Sequence, residues 1–524
     1  MRVVLQVNSL RLRKTKDHVI CPIVSFAYGF ILRAFPEIVI EKYPAGFDTI
    51  CYYALEIPYL PKQSILKLLA APAPLFYTVM WMMYITTQVD ILMLLKICGP
   101  VLYGMLALSF YKLLSRITKW SARKNTLCVV LCMSQLPTLR LSWDLFRNML
   151  GLIFLFIHLT ILNDHLEKAY HQKNGPSFIS LCLLSFLVTL SHELASILMF
   201  IATLSVLICL IRSDRLKETA YLSIAHIPAL ALFTYQLISY LKGEANFPYY
   251  KLPRDIVVLM PKFANNTSML FTNYFLLPPF IGLTYRDFIR IFLELFLIYY
   301  SATLPLALMG LSSRKKKMLI IDNLMIWLVI VTFSALITPS FYIFWRFYRW
   351  MLFMVFPISI YAMEGVTKIT KVRGGAILAC AVLLLYMLWA LSYSSGLIGL
   401  YFIRGKPLNA FLPENLVQTT IGVTQIDDCI ACLNWINNIS GRIILLTELR
   451  FYPWAMLYLR EDINIAVYGP GYSLTDLNFS DIRSMGESFD HIFWIWYAGE
   501  DAYMFIEVYV HGVIAIYEYT GRSF

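Results

Sequence analysis

Apolar residues fall in long runs separated by short polar stretches, and the runs set the first expectation. Eleven of them approach the roughly 17–25 residues that an α-helix needs to cross a bilayer. They are 18–34, 91–111, 125–141, 148–163, 177–193, 195–211, 219–241, 288–310, 318–338, 347–365 and 374–396. A further run, 65–87, carries Pro72 and Pro74 and ends in Thr86-Thr87-Gln88-Val89-Asp90. Counting it as a span would reverse the side of every later loop.

Charge decides between the two counts. With 65–87 left out, six segments share the side of the N-terminus: 1–17, 112–124, 164–176, 212–218, 311–317 and 366–373. Together they hold half of the chain's 44 Lys and Arg, among them Lys112, Arg116, Lys119, Arg123 and Lys124, and Arg314-Lys315-Lys316-Lys317. Short cytoplasmic loops are enriched in these residues, so the six segments are expected inside. The run 65–87 then reads as a re-entrant or interface-lying helix pair within a first external loop, 35–90. The chain is expected to cross about eleven times, N-terminus inside and C-terminus outside. The Asn-x-Ser/Thr sequons at Asn265, Asn266, Asn438 and Asn478 all fall on the outer side of this scheme.

The tail from 397 to 524 changes character. Helical spacing over 427–438 puts Cys429, Cys432, Leu433 and Ile436 on one side. Strand-like runs follow at 442–447, 463–468, 491–497 and 513–519, with a helix expected at 454–459. Helix and strand alternating in this way predict a small α/β domain with a mainly parallel sheet. The domains are therefore expected to be 1–396, membrane-embedded, and 397–524, extracytoplasmic.

Composition agrees with a polytopic α-helical membrane protein. Of 524 residues 59% are hydrophobic and 15% charged, and the mean hydropathy is +0.65, whereas a soluble domain carries about a quarter charged residues. The net charge of +12 sits in short loops between apolar runs, which excludes a nucleic-acid-binding face. The ten Cys lie mostly inside apolar runs and show no disulfide framework. The spacing Cys429-Ile430-Ala431-Cys432 is redox-like but lacks a preceding strand, and reads as helix packing. Arg2, Arg11, Arg13, Lys14 and Lys16 ahead of an apolar run resemble a signal peptide. No small-residue cleavage site follows, and the run is expected to remain as the first span.

In so apolar a chain, ionisable residues at the outer ends of spans carry the chemistry. The first is Asp48, in Tyr43-Pro44-Ala45-Gly46-Phe47-Asp48, where Pro44 and Gly46 bend the backbone just before the acid. It either caps a helix starting at Thr49 or faces a headgroup. The second group is Arg140, Asp144 and Arg147 between the third and fourth spans. Asp144 pairs with a neighbouring Arg, caps the next helix, or acts chemically. The third is His192-Glu193 at the fifth span, a cap or a ligand. The fourth is Arg346 and Arg349 among aromatics ahead of 351–362. They read equally as a snorkelling interface belt or as guanidinium forks for a phosphate. His226 and Glu294, inside spans, are given no role. Together, acids and arginines on one membrane face suit transfer from a lipid phosphate. Arginines hold the leaving phosphate and a carboxylate takes the proton of the attacking hydroxyl.

This layout resembles the C-type membrane glycosyltransferase superfamily (GT-C), which includes protein O-mannosyltransferases, the aminoarabinose–lipid A transferase and oligosaccharyltransferase catalytic subunits. Tyr43–Asp48 resembles the family's first-loop motif, with Asp48 at the catalytic acid position. Pro137–Asp144 resembles its motif of a proline at the end of span three followed by an acid. Arg346 or Arg349, followed by Phe356-Pro357 and Gly365, resembles its arginine-bearing stretch before a proline-bearing span. The resemblance implies a polyprenyl-phosphate-linked sugar donor, a glycan, lipid or protein acceptor hydroxyl, and inversion at the anomeric carbon. It places Asp48 and Asp144 as catalytic, and Arg346, Arg349, Arg140 and Arg147 at the donor phosphate. Tyr43, His192 and Glu193 would line the site, and a divalent cation (Mg or Mn), where one is used, would draw on Asp48, Asp144 and Glu193. Two departures stand out. The second motif has one acid in place of Asp-x-Asp, and the tail has Trp494-Ile495-Trp496-Tyr497 where oligosaccharyltransferases have Trp-Trp-Asp. Transfer onto sequons is not expected, and metal dependence stays open. A multi-pass protein of the plasma membrane is implied, with membrane lipids as partners and no nucleic acid. The alternatives are a lipid or oligosaccharide transporter or flippase, which would want internal repeats and paired broken spans, and a non-catalytic scaffold displaying the tail.

Overall fold

The computed structural model describes residues 2–62, 65–71, 73–170, 178–242, 256–259, 285–313, 318–336, 347–403, 408, 412–468, 488–500 and 504–520. The helices are α1 (Arg2–Ile40), α2 (Ile65–Ala70), α3 (Pro74–Thr87), α4 (Ile91–Ile117), α5 (Ala122–Met133), α6 (Leu136–Asp144), α7 (Phe146–Tyr170), α8 (Phe178–Ser191), α9 (Glu193–Arg212), α10 (Leu216–Leu241), α11 (Tyr285–Tyr300), α12 (Leu304–Ser313), α13 (Leu319–Ser334), α14 (Phe347–Ile369), α15 (Gly375–Ser394), α16 (Val423–Asn437) and α17 (Tyr452–Tyr458). The strands are β1 (Ile256–Leu259), β2 (Ile443–Glu448), β3 (Asn464–Tyr468), β4 (His491–Tyr497), β5 (Phe505–His511) and β6 (Ile514–Tyr519). Contacts divide the chain into two compact units. The first is Met1–Tyr43, Gln63–Tyr249 and Tyr285–Val417, and the second is Pro44–Lys62, Tyr250–Thr284 and Gln418–Phe524.

The first unit is helical. Among the described residues, seven helices are long and apolar enough to cross a membrane: Asp17–Ile40, Ile91–Ile117, Phe146–Glu167, Glu193–Arg212, Leu216–Leu241, Tyr348–Ile369 and Gly375–Ser394. An eighth is available if α11 and α12, bent by 71° across a short break, form one span. The remaining runs form shorter helices. α8 and α13 are apolar but have 14 and 16 residues. The run 125–141 is two helices, because α5 ends at Ser134 and Pro137 enters the first turn of α6. The run 65–87 is a pair, α2 and α3, and the 14 residues of α3 span only about 21 Å.

Small residues and aromatics set the packing. A Cβ on Gly310 would lie 1.8 Å from the Tyr361 carbonyl oxygen, and one on Gly365 would lie 2.0 Å from that of Leu306. The backbones of α12 and α14 touch there, which only glycine permits. Phe110, Phe156 and Phe356 interlock α4, α7 and α14, with ring centroids 4.7–5.5 Å apart.

The second unit is built on a six-stranded sheet of order β1-β3-β2-β4-β6-β5. The first four strands run parallel, and β6 and β5 are antiparallel. The expected α/β tail and its mainly parallel sheet are present; the four expected strands lie within a residue of their expected ends, and α16 starts four residues earlier than expected. Two strands were not expected. β1 comes from the segment before α11, and β5 is an edge strand whose side chains are mostly exposed. Cys429 and Cys432 are buried free thiols, with Cys432 Sγ 3.5 Å from the Ile514 carbonyl, so the pair packs α16 on the sheet. Asn438, the one sequon among the described residues, is exposed at the end of α16.

Candidate functional site

In the first unit, charge collects around the turn from α6 to α7. Arg140 and Asp144, one turn apart on α6, form an ion pair with both side chains buried. The Arg140 guanidinium also lies over the Trp143 ring, 4.9 Å from its centroid. A second buried pair, Arg33–Glu37 at 2.5 Å, closes α1. Arg33 donates from Nε to the Ser142 carbonyl at 2.6 Å and from Nη2 to the Trp143 carbonyl at 3.2 Å. A cation thus rests on the last carbonyls of α6, where the helix dipole favours it. Arg33 and Glu37 were missed in the sequence. Their signal was the same i,i+4 spacing as Arg140 and Asp144.

At the start of α7, Arg147 lies over the Tyr77 ring at 5.7 Å. Beside it Asn148 is 2% exposed, and its Nδ2 has no hydrogen-bond acceptor among the described residues. The first N–H groups of a helix lack intrahelical acceptors, so this corner presents donors to an anion. α6 packs on α14, which carries Arg349 in its first turn. Arg349 Nε donates to Tyr348 Oη at 3.0 Å. His192 caps α9, its Nδ1 accepting from the Leu194 N–H at 3.2 Å, so the neutral ring carries its proton on Nε2, 3.7 Å from Glu193 Oε2. The His192 ring rests on Phe353 of α14, at 6.4 Å between centroids. Tyr43 is buried, with Lys42 Nζ 4.9 Å from its ring. Arg346 lies outside the described residues.

Asp48 belongs to the second unit. Gly46, with φ at 108°, makes the bend that precedes it, and the Gly46 N–H donates to the Gln418 carbonyl at 2.8 Å. Asp48 occupies the N-cap of a π-helix, Thr49–Ala54, yet makes no side-chain cap hydrogen bond. The capping alternative is therefore not what the carboxylate does. Burial, with the charges of Asp48 and Glu56 adding to it, pushes the Cys51 thiol well up from its ordinary pKa. π-Turns are rare and concentrate at functional sites. The π-helix packs on α17.

Asp144 spends Oδ1 on Arg140, and among the described residues no three of His, Cys, Asp and Glu are grouped to hold a metal ion. Deeper in the bundle, His226 directs Nδ1 at the Leu222 carbonyl (2.8 Å), and its Nε2 is 2.9 Å from His158 Nε2. His226 thus pairs inside the bundle, with His158 of α7. Glu294 lies 3.9 Å from Arg290. No family model and no curated protein matches the chain.

Proposed function

We propose that the protein is an inverting membrane glycosyltransferase of GT-C type, transferring a sugar from a polyprenyl-phosphate donor to an acceptor hydroxyl at the outer face of the plasma membrane. The observation that carries this reading is the corner at the start of α7. Arg147 and the unmatched, buried Asn148 amide stand there beside the Arg140–Asp144 pair, on a helix N-terminus. A lipid phosphate supplies an acceptor for the Asn148 amide, and Arg349 and Arg346 add the charge that neutralises the leaving group. Asp48 takes the acceptor proton as the hydroxyl oxygen bonds to the anomeric carbon and the bond to the phosphate oxygen breaks. Asp144 holds Arg140 in place, and Tyr43, His192 and Glu193 line the approach. In this reading the chain crosses about eleven times, with the C-terminal domain outside.

The test is sugar transfer by the full-length protein in liposomes, using prenyl-phosphate donors of several sugars. Removing a general base costs about 10²–10⁴ in rate, so Asp48→Asn is expected to lower transfer by that much. Full activity in Asp48→Asn would sink the assignment.

A further inference from the structure

We propose that the carboxyl edge of the six-stranded sheet is a recognition site for a carboxylated sugar, with Arg450 as its anion-binding group. In the order β1-β3-β2-β4, the chain leaves β2 for β3 on one side and returns to β4 on the other. Strand order therefore reverses across the β2–β4 pair, and open parallel sheets bind ligands at the carboxyl ends of such a pair.

The residues at this edge are arranged for an anion. Glu448, the last residue of β2, is fully buried, and Arg450 grips it with a fork: Nε lies 2.9 Å from each carboxylate oxygen and Nη2 is 2.5 Å from Oε2. Burial works against the guanidinium charge, and the hydrogen bonds and field of Glu448 outweigh it, holding its pKa above the ordinary value. A buried ion pair seldom adds stability over an apolar pair. What this one does is fix the plane of a guanidinium whose side chain stays 39% exposed. Among the described residues the Nη1 edge is left for a second planar oxyanion. Trp496 lies under the same guanidinium, 5.7 Å from its centre, and Tyr497 closes β4 beside it. Both residues are half-buried; Trp496 is stacked on Trp494 at 5.5 Å, so Tyr497 offers the aromatic surface to the apolar face of a sugar ring. A carboxylate on that ring places its charge at Arg450.

The edge is continuous with the Asp48 loop inside the same unit. α17 starts two residues after Arg450 and packs on the π-helix that Asp48 precedes. Trp454 of α17 donates from Nε1 to Thr420 Oγ1 at 2.7 Å, two residues from the Gln418 carbonyl that receives the Gly46 N–H. That the bound sugar is the acceptor rests on the glycosyltransferase reading; that it binds does not.

The experiment is titration calorimetry on the full-length protein in phosphatidylcholine nanodiscs, with trigalacturonate, its methyl ester and inorganic phosphate. Trigalacturonate is expected to bind at least about tenfold more tightly than the ester or phosphate, and Arg450→Lys, which keeps charge and loses the fork, is expected to erase that preference. Should Arg450→Lys lower the unfolding midpoint, the neutral pair Glu448→Gln/Arg450→Gln is expected to lose the preference as well. Equal binding of acid and ester, phosphate binding as tight as trigalacturonate, no binding, or an unaltered preference in a folded variant overturns the proposal. Asp48→Asn is expected to leave this binding unchanged, so failure of the transfer assay and failure of the titration are separate results.

Discussion

Asp48 and Asp144 look alike in the sequence, each an acid at the outer end of an apolar segment, and the structure separates what they do. Asp144 is 1% exposed and carries Arg140, so its removal strands a buried guanidinium. Breaking one partner of a buried pair costs about 3–5 kcal/mol. Asp144→Asn is therefore expected to lower the unfolding midpoint of the detergent-solubilised protein strongly. Asp48→Asn, at a carboxylate that is only half-buried, is expected to lower it less. Equal melting of the two variants would show that Asp144 is not held by its pair. Arg33 and Glu37 follow the same rule, and the double change Arg33→Met/Glu37→Leu should cost less than the sum of the two single changes. These pairs were legible as i,i+4 spacings. Arg33 and Glu37 were passed over because charges at the end of a first span read as flanks, and only a folded α6 offers the carbonyls that Arg33 needs.

Among elements, periodic ones were readable and those defined by distant partners were not. β4 falls on its expected residues because His491–Tyr497 is an apolar, mostly buried run. β1 pairs with β3 from far earlier in the chain, and no local pattern announces that. β5 sits at an edge with a bulge near Glu507 and Tyr509, so burial leaves no alternation to read. The bend at Gly46 was visible as Pro-x-Gly, and its φ of 108° explains why. A Cβ there is expected to cost about 1–3 kcal/mol, read as a lowered unfolding midpoint in Gly46→Ala with the Asp48 loop displaced. α16 makes a prediction in pH. Burial raises the Cys429 thiol well above its ordinary pKa, with the charges of Cys432 and Asp428 adding to it, and burial pushes Cys432 up to about 12. The unfolded chain then releases these protons first, near pH 8.5. The thiols' contribution to stability is whole below that pH and is lost as pH rises toward the folded pKa. Denaturant midpoints should fall between pH 9 and 11, and Cys429→Ala should flatten that slope while lowering stability at pH 7.

At the scale of the whole chain the open quantity is how often it crosses, and loops answer it better than helices do. Among the described residues seven helices meet the length and apolarity of a span, whereas eleven runs satisfy the charge pattern. Four crossings separate the counts: α5 with α6, α8, the bent pair α11 and α12, and α13. Each of these is short or broken, and a short helix crosses only where neighbours or local thinning of the bilayer accommodate it. The two counts place particular loops on opposite sides. With eleven crossings, the segments 112–124, 164–176 and 311–317 are all cytoplasmic. With seven, 112–124 stays inside, while 164–176 and 311–317 move outside. The second arrangement would export Arg314-Lys315-Lys316-Lys317, four adjacent basic residues, against the strongest regularity in membrane insertion. Side-reporting fusions after Lys124, Lys173 and Lys317 are therefore expected to read cytoplasmic, and one after Phe524 extracytoplasmic. An outside signal after Lys317 would remove the eleven-span scheme. A cytoplasmic signal after Phe524 would put the Arg450 edge out of reach of any extracytoplasmic acceptor.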